Sequence, residues 1–228
     1  DASVANPDTL IENNFSTFLF NTTGAELSIN NGIDLANKGG LVWLKSRSNS
    51  VDHELFDTAR GVNNILYSSA TTANTSSSSS LTSFNNNGFT LGNNLNANVN
   101  NRTSVAWTFK KAPKFFDIVT YTGQGGSTNN AVSHNLGSTP GMIIIKNLSD
   151  GGANDDWAVY HRSMSGTPHN NALHLNEASS TSTVGNQQYY FGQAPTDTQF
   201  YVYGGQARTG QASTNYVAYL FADNSSED

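Results

Sequence analysis

Five histidines and 17 acidic residues are the groups in this chain that could move protons or hold metals, and their spacing decides whether they do. His169 and His174 lie five apart, in a polar loop and the strand after it. No His-Glu-x-x-His occurs, so the paired nitrogens of a zinc site are not presented. An acyl-transfer nucleophile would need Gly-x-Ser-x-Gly between a strand and a helix, and the chain offers neither. Glycoside hydrolysis asks only for two facing carboxylates, for which Glu12, Glu26, Glu54, Asp57, Asp117 and Glu177 are the candidates near strands. None stands in a distinctive frame, and a solvated face is the expectation.

Asp150, Asp155 and Asp156 in SDGGANDDW could gather oxygen ligands around calcium, with the Gly pair supplying turn freedom. The Asp-x-Asn-x-Asp-Gly order of a dedicated loop is missing, so an acidic surface loop is the plainer reading, and no other metal or cofactor is expected. GQGG, Gly123 to Gly126, follows a strand without opening a helix and reads as a hairpin turn, not a phosphate cradle. Recognition has a better candidate in DWAVYHRSMSG, Asp156 to Gly166. On a strand, Trp157, Val159 and His161 share one face and Ala158, Tyr160 and Arg162 the other. With one of those faces exposed at the strand end, its aromatic, Trp157 or Tyr160, would stack on a sugar ring while its cationic group, His161 or Arg162, donates to hydroxyls. The alternative puts Trp157 and Tyr160 in the core and leaves His161 and Arg162 to cap the sheet.

The elements that would position these residues repeat. GLVWLKSR at Gly40 returns as GMIIIKN at Gly141, and the same offset of 101 pairs Phe15 with Phe116, Phe20 with Tyr121 and Leu35 with Leu136. The offset grows to 104 for Leu55-Phe56 with Val159-Tyr160, to 111 for Phe89 with Phe200, and to 112 for SVAWTF with YVAYLF. An offset that only increases is expected of a duplicated fold whose second copy gained loop residues, where insertion is cheap. The copies differ at their acidic positions: Asp57 aligns with His161 and Glu54 with Ala158.

Each copy reads as short strands between Gly, Asn and Ser turns, and no window holds an apolar 3.6 period for long. The expectation is an all-β chain of two tandem homologous antiparallel β-sandwich domains, jelly-roll or lectin-like, at residues 15–113 and 114–228, with residues 1–14 as an arm or the end of a preceding segment. Val105, Trp107 and Phe109, and their counterparts Val217, Tyr219 and Phe221, should point into the cores. GLVWLK and GMIIIK, apolar on both faces, should be central strands, with Lys45 and Lys146 marking where each strand leaves the core. Pro113 in KKAPK separates the copies. Ser76 to Ser80 should form a mobile exposed loop without a packed role.

Composition narrows the function classes. Only 12% of the 228 residues are charged, the net charge is -6, and the 11 Lys and Arg are dispersed, so no basic stripe exists for a nucleic acid. The longest apolar runs stop far short of the roughly 20 residues needed to cross a bilayer. The chain opens on Asp1 with no signal segment before it, as a processed product or a piece of something longer would.

Taken together, GLVWLKSR, HELFDTARG, FFDIVTYTGQG, SHNLGSTPGMIIIKN, DWAVYHR and YVAYLFAD resemble a family of virion structural proteins from tailed bacteriophages, notably phages of marine bacteria, over roughly Phe15 to Asp223. The resemblance transfers no catalytic residue. It implies a virion location and says little about chemistry; with the duplication, the leading expectation is a non-enzymatic protein on the virion surface, a tail fibre or a head decoration, whose partners are other virion proteins and copies of itself. A glycan-binding adhesin that recognises host polysaccharide is the alternative, and a polysaccharide depolymerase is the enzyme reading.

Overall fold

Gly40 opens GLVWLKSR because a neighbouring backbone comes too close for any side chain. A Cβ at this position would lie 2.2 Å from the Phe109 carbonyl oxygen. The strand that follows is the centre of the first of two units in this computed structural model, which describes residues 10–149, 155–178, 182–183 and 190–223. One unit is formed by the chain up to Tyr67 together with Thr75–Ala112, and the other by Ser68–Asn74 together with the chain from Pro113. The boundary falls at the KKAPK join, one residue before the expected one, and the short excursion of residues 68–74 was not foreseen.

The first unit contains β1 (Phe15–Asn21), β2 (Leu27–Asn30), the short helix α1 (Leu35–Lys38), β3 (Gly40–Ser46), β4 (Glu54–Asp57), β5 (Asn64–Tyr67), β6 (Thr75–Ser76), β7 (Leu81–Asn85), β8 (Gly88–Leu91) and β9 (Thr103–Lys110). Six strands form one antiparallel sheet in the order β1-β9-β3-β4-β5-β6, and β2-β8-β7 form a second. Val42, Leu44, Phe56, Ile65 and Ala106 from the large sheet meet Ile29, Leu81, Phe89 and Leu91 from the small one in a single buried cluster, a sandwich-like arrangement. At Gly88, φ is 139° and a Cβ would stand 1.9 Å from the Ile29 carbonyl oxygen, so only glycine lets β2 and β8 pair there.

The second unit contains β10 (Phe116–Thr122), β11 (Asn129–Ser133), β12 (Pro140–Asn147), β13 (Ala158–His161), β14 (Asn171–His174), β15 (Ser182–Thr183), β16 (Gln199–Tyr203) and β17 (Asn215–Ala222). Its large sheet runs β10-β17-β12-β13-β14-β15, and β11-β16 form the small one. Val132, Phe200 and Val202 from the small sheet join Ile143, Ile145, Tyr160, Ala218 and Leu220 in the core. The all-β expectation is met.

Three local expectations are corrected. On β9 and β17 the residues that face the smaller sheet are Ala106, and Tyr216, Ala218 and Leu220. Val105, Trp107 and Phe109, with Val217, Tyr219 and Phe221, lie on the opposite face. A period of two identifies faces, but it cannot orient a strand whose two faces are both apolar. The serine tract is exposed only at Ser76 and Ser78 and has packed roles: Thr75–Ser76 pair with β5, Ser77 N–H donates to the Asn63 carbonyl at 2.9 Å, and Ser80 is fully buried. Lys146 does not leave the core. It is buried, and its Nζ donates to the carbonyls of Thr71 and Asp155, each at 2.7 Å, which offsets the cost of burying the amine and fastens residues 68–74 into the second unit. That burial lowers its pKa to about 8.

Candidate functional site

The recognition candidates on DWAVYHRSMSG divide by burial. Trp157 is fully buried and its ring stacks on Tyr219 at 6.3 Å between centroids; Tyr160 is 6% exposed and packs against Phe191 at 5.5 Å. Neither offers a ring face to a sugar, so the aromatic half of the expected glycan contact is withdrawn. His161 and Arg162 are exposed, and Arg162 pairs with Asp223. The physical reason is that β13 is covered on both faces, which leaves only its C-terminal end free.

The candidate carboxylates differ in their surroundings. Glu12 and Glu26 are exposed on the first unit, whereas Asp117 is buried in the second and accepts from the N–H groups of Ile118 and Asn135, each at 2.9 Å. Glu54 and Asp57 lie three residues apart on β4 and therefore point to opposite faces. Glu54 accepts from the N–H groups of Asn96 (3.1 Å) and Ala97 (3.0 Å), closing the loop before β9. Asp57 makes a buried ion pair with Arg60.

Burial pushes the Glu54 pKa up to about 7, outweighing the two N–H donors that favour the carboxylate. A folded-state pKa above the unfolded value means that the stabilisation from this group is fully present below about pH 4.5. It is lost as pH rises through about 7. The unfolding free energy of the wild type from urea titrations should therefore fall over that window, by up to about 3 kcal/mol in the extreme. Glu54→Gln should flatten that slope, and an unchanged slope in the variant would assign it to another group.

The densest polar constellation was not legible in the sequence. Asp156, one residue before Trp157, is 1% exposed. Its Oδ1 accepts from Asn176 Nδ2 at 2.9 Å, and its Oδ2 accepts from Arg208 Nε at 3.0 Å and Nη2 at 2.5 Å. The Arg208 guanidinium carbon lies 5.5 Å from the Tyr190 ring centroid. Tyr190 OH is 3.3 Å from His174 Nε2, and His174 Nδ1 is 3.1 Å from Glu177 Oε2. β14 places His174 beside Ala158, and past the end of that ladder Asn176 Oδ1 takes the Trp157 N–H at 2.9 Å. One amide side chain thus continues the pairing of β13 with β14 and fixes Asp156.

Burial alone would raise the Asp156 pKa, but hydrogen bonds from Asn176 and Arg208, with the charges of Arg208 and His174, hold it below the usual carboxylate range. Asp156, His174 and Glu177 place one ligand atom each within 4.8 Å of the others. A divalent cation there would have to displace Arg208 from Asp156 and then face its charge, so the donor set suits an internal ion pair better than a metal. Of the residues considered for calcium, Asp150 lies outside the described residues, Asp155 Oδ1 accepts from Asn147 Nδ2 at 2.9 Å, and Asp156 is held as above. The chemistry of the cluster is fastening: it ties residues from 156 to 208, far apart in sequence, to one end of a sheet.

An aromatic group in the first unit was also missed. Trp43 and Trp107 sit opposite each other on β3 and β9, 6.4 Å apart edge to face. His53 stacks on Trp107 at 6.4 Å, and its Nδ1 accepts from Trp43 Nε1 at 2.9 Å. Burial lowers the His53 pKa, with Lys45 adding to the effect. All three rings are half-buried.

Residues 12–226 match the family described as domain of unknown function (DUF7483), and the chain belongs to it. Nothing matches among curated proteins, nor among solved structures.

Proposed function

We propose that this member of the DUF7483 family is a non-enzymatic structural protein of a bacteriophage virion, displayed in many copies on the particle surface as a tail fibre or a head decoration. We further propose that its two units descend from one duplicated β-sandwich. The observation that supports the duplication is the repeated strand order: β1-β9-β3-β4-β5-β6 in one unit answers β10-β17-β12-β13-β14-β15 in the other, element for element. The duplication is also supported by ring pairs at aligned positions. Phe15 and Phe109 lie 4.8 Å apart at 44°, and Phe116 and Phe221 lie 5.0 Å apart at 51°. His53 stacks on Trp107 at 16°, and Trp157 stacks on Tyr219 at 24°.

The virion reading is supported by the resemblance of the chain's motifs to virion structural proteins and by the use made of the buried charges. Glu54, Asp57 with Arg60, Lys146, and Asp156 with Arg208 each close a loop onto a sheet. Loops tied in this way slow local opening, which suits a protein that must persist outside a cell. Mass spectrometry of gradient-purified particles tests the reading. Peptides from both units should appear at many copies per particle, and their confinement to the soluble fraction of the lysate would overturn it.

A further inference from the structure

Two strands lie at corresponding sheet edges, and only one is protected. β1 pairs with β9 alone among the described residues, and β10 with β17 alone. In an antiparallel pair, hydrogen-bonded residues alternate with residues whose N–H and C=O groups point away. Lys110 N–H donates to the Asn14 carbonyl and Thr22 N–H to the Arg102 carbonyl, so the even-numbered positions of β1 bond to β9. The main-chain groups of Phe15, Thr17, Leu19 and Asn21 therefore point outward. By the same logic Phe116, Ile118, Thr120 and Thr122 face outward on β10. There, however, the Ile118 N–H is taken by the Asp117 carboxylate at 2.9 Å, and a charge on the edge strand opposes further pairing. The residue aligned with Asp117 is Ser16, and β1, FSTFLFN, carries no charge and no proline.

Exposed apolar side chains gather on the same edge. Among the described residues six large hydrophobics are exposed. Leu19 (58%) is on β1, Leu10 (36%) and Ile11 (57%) lie just before it, and Val99 (41%) lies near its far end, where Thr22 Oγ1 donates to the Val99 carbonyl. Open main-chain groups beside exposed apolar side chains are the template for strand addition.

We propose that β1 is a self-association edge, and that two copies of this chain pair β1 to β1 antiparallel about a two-fold axis at Phe18, joining their six-stranded sheets. The register is self-complementary: Phe15 faces Asn21 and Thr17 faces Leu19 of the other copy, so outward-pointing groups meet outward-pointing groups. No like charges are opposed along the strand. Past the paired residues the charges are opposite: exposed Glu12, before β1 of one copy, lies at the same end of the joint as Arg102, which stands behind Thr22 on the β9 side of the other copy. The pairing rests on the geometry of β1 and holds wherever the protein acts.

Sedimentation velocity of the full chain over a concentration series tests this. The wild type should be a dimer that dissociates on dilution. Leu19→Lys, at an exposed position, should be monomeric with an unchanged unfolding midpoint. Arg102→Glu should weaken the dimer by about tenfold or more, and adding Glu12→Arg should restore it. A wild type that stays monomeric at every concentration, or a dimer that both Leu19→Lys and the charge pair leave unmoved, would overturn the proposal.

Discussion

Replacing Asp57 by alanine should destabilise the first unit by about 3–5 kcal/mol, because it leaves a buried arginine without its counter-ion. Asp57 is fully buried and the Arg60 side chain is 4% exposed. Asp57 Oδ2 takes the Arg60 Nε at 2.5 Å, while Oδ1 takes the N–H groups of Ala59 (3.0 Å) and Arg60 (2.9 Å). The guanidinium also donates to the carbonyls of Leu55 (3.1 Å) and Asn64 (3.3 Å), so the pair closes the turn between β4 and β5. Asp57→Asn keeps an acceptor for the turn amides but removes the charge, and should fall between wild type and alanine. The double variant Asp57→Ala/Arg60→Met should cost less than the sum of the two single changes. Urea unfolding of the four proteins measures this, and strict additivity would show that the two side chains do not act as a pair.

Trp157→Ala should cost the second unit a similar amount, about 3–5 kcal/mol, through loss of apolar burial and the cavity left behind. The side chain is fully buried against Tyr219, at the point where Asn176 carries the β13–β14 ladder past its end. Trp157→Phe, which keeps a ring, should cost markedly less. Thermal and urea unfolding distinguish this role from a sugar platform. A surface tryptophan could be truncated with little change in stability, so an unaltered midpoint in Trp157→Ala would contradict the burial described here.

Strands were legible because their signal is local. GLVWLKSR and GMIIIKN became β3 and β12, each between two partners in its sheet, as apolar residues on both faces required. The same double-sidedness hid which face of β9 and β17 meets the small sheet. Polar fastenings were hidden for another reason. Arg208 reaches Asp156 across 52 positions, and Lys146 reaches Thr71 across 75, separations at which no spacing rule operates. The serine tract misled because composition reports average solvation, whereas Ser77 and Ser80 are held by particular carbonyl partners. Trp157 could be assigned to a strand, but burial of a strand face depends on what the rest of the chain lays over it.

At the aligned positions of the bare edge of β1 and the guarded edge of β10, the difference that places a charge is Ser16 against Asp117. The two edges therefore differ in kind: one is closed by its own carboxylate, and the other is left able to accept a strand.

Antibody labelling of intact phage particles bears most directly on the proposed function. Antibodies raised against the folded chain should decorate purified, uninjured virions at many regularly arranged positions in electron micrographs. Virions that stay unlabelled while the same antibodies recognise the free protein in the lysate would contradict it.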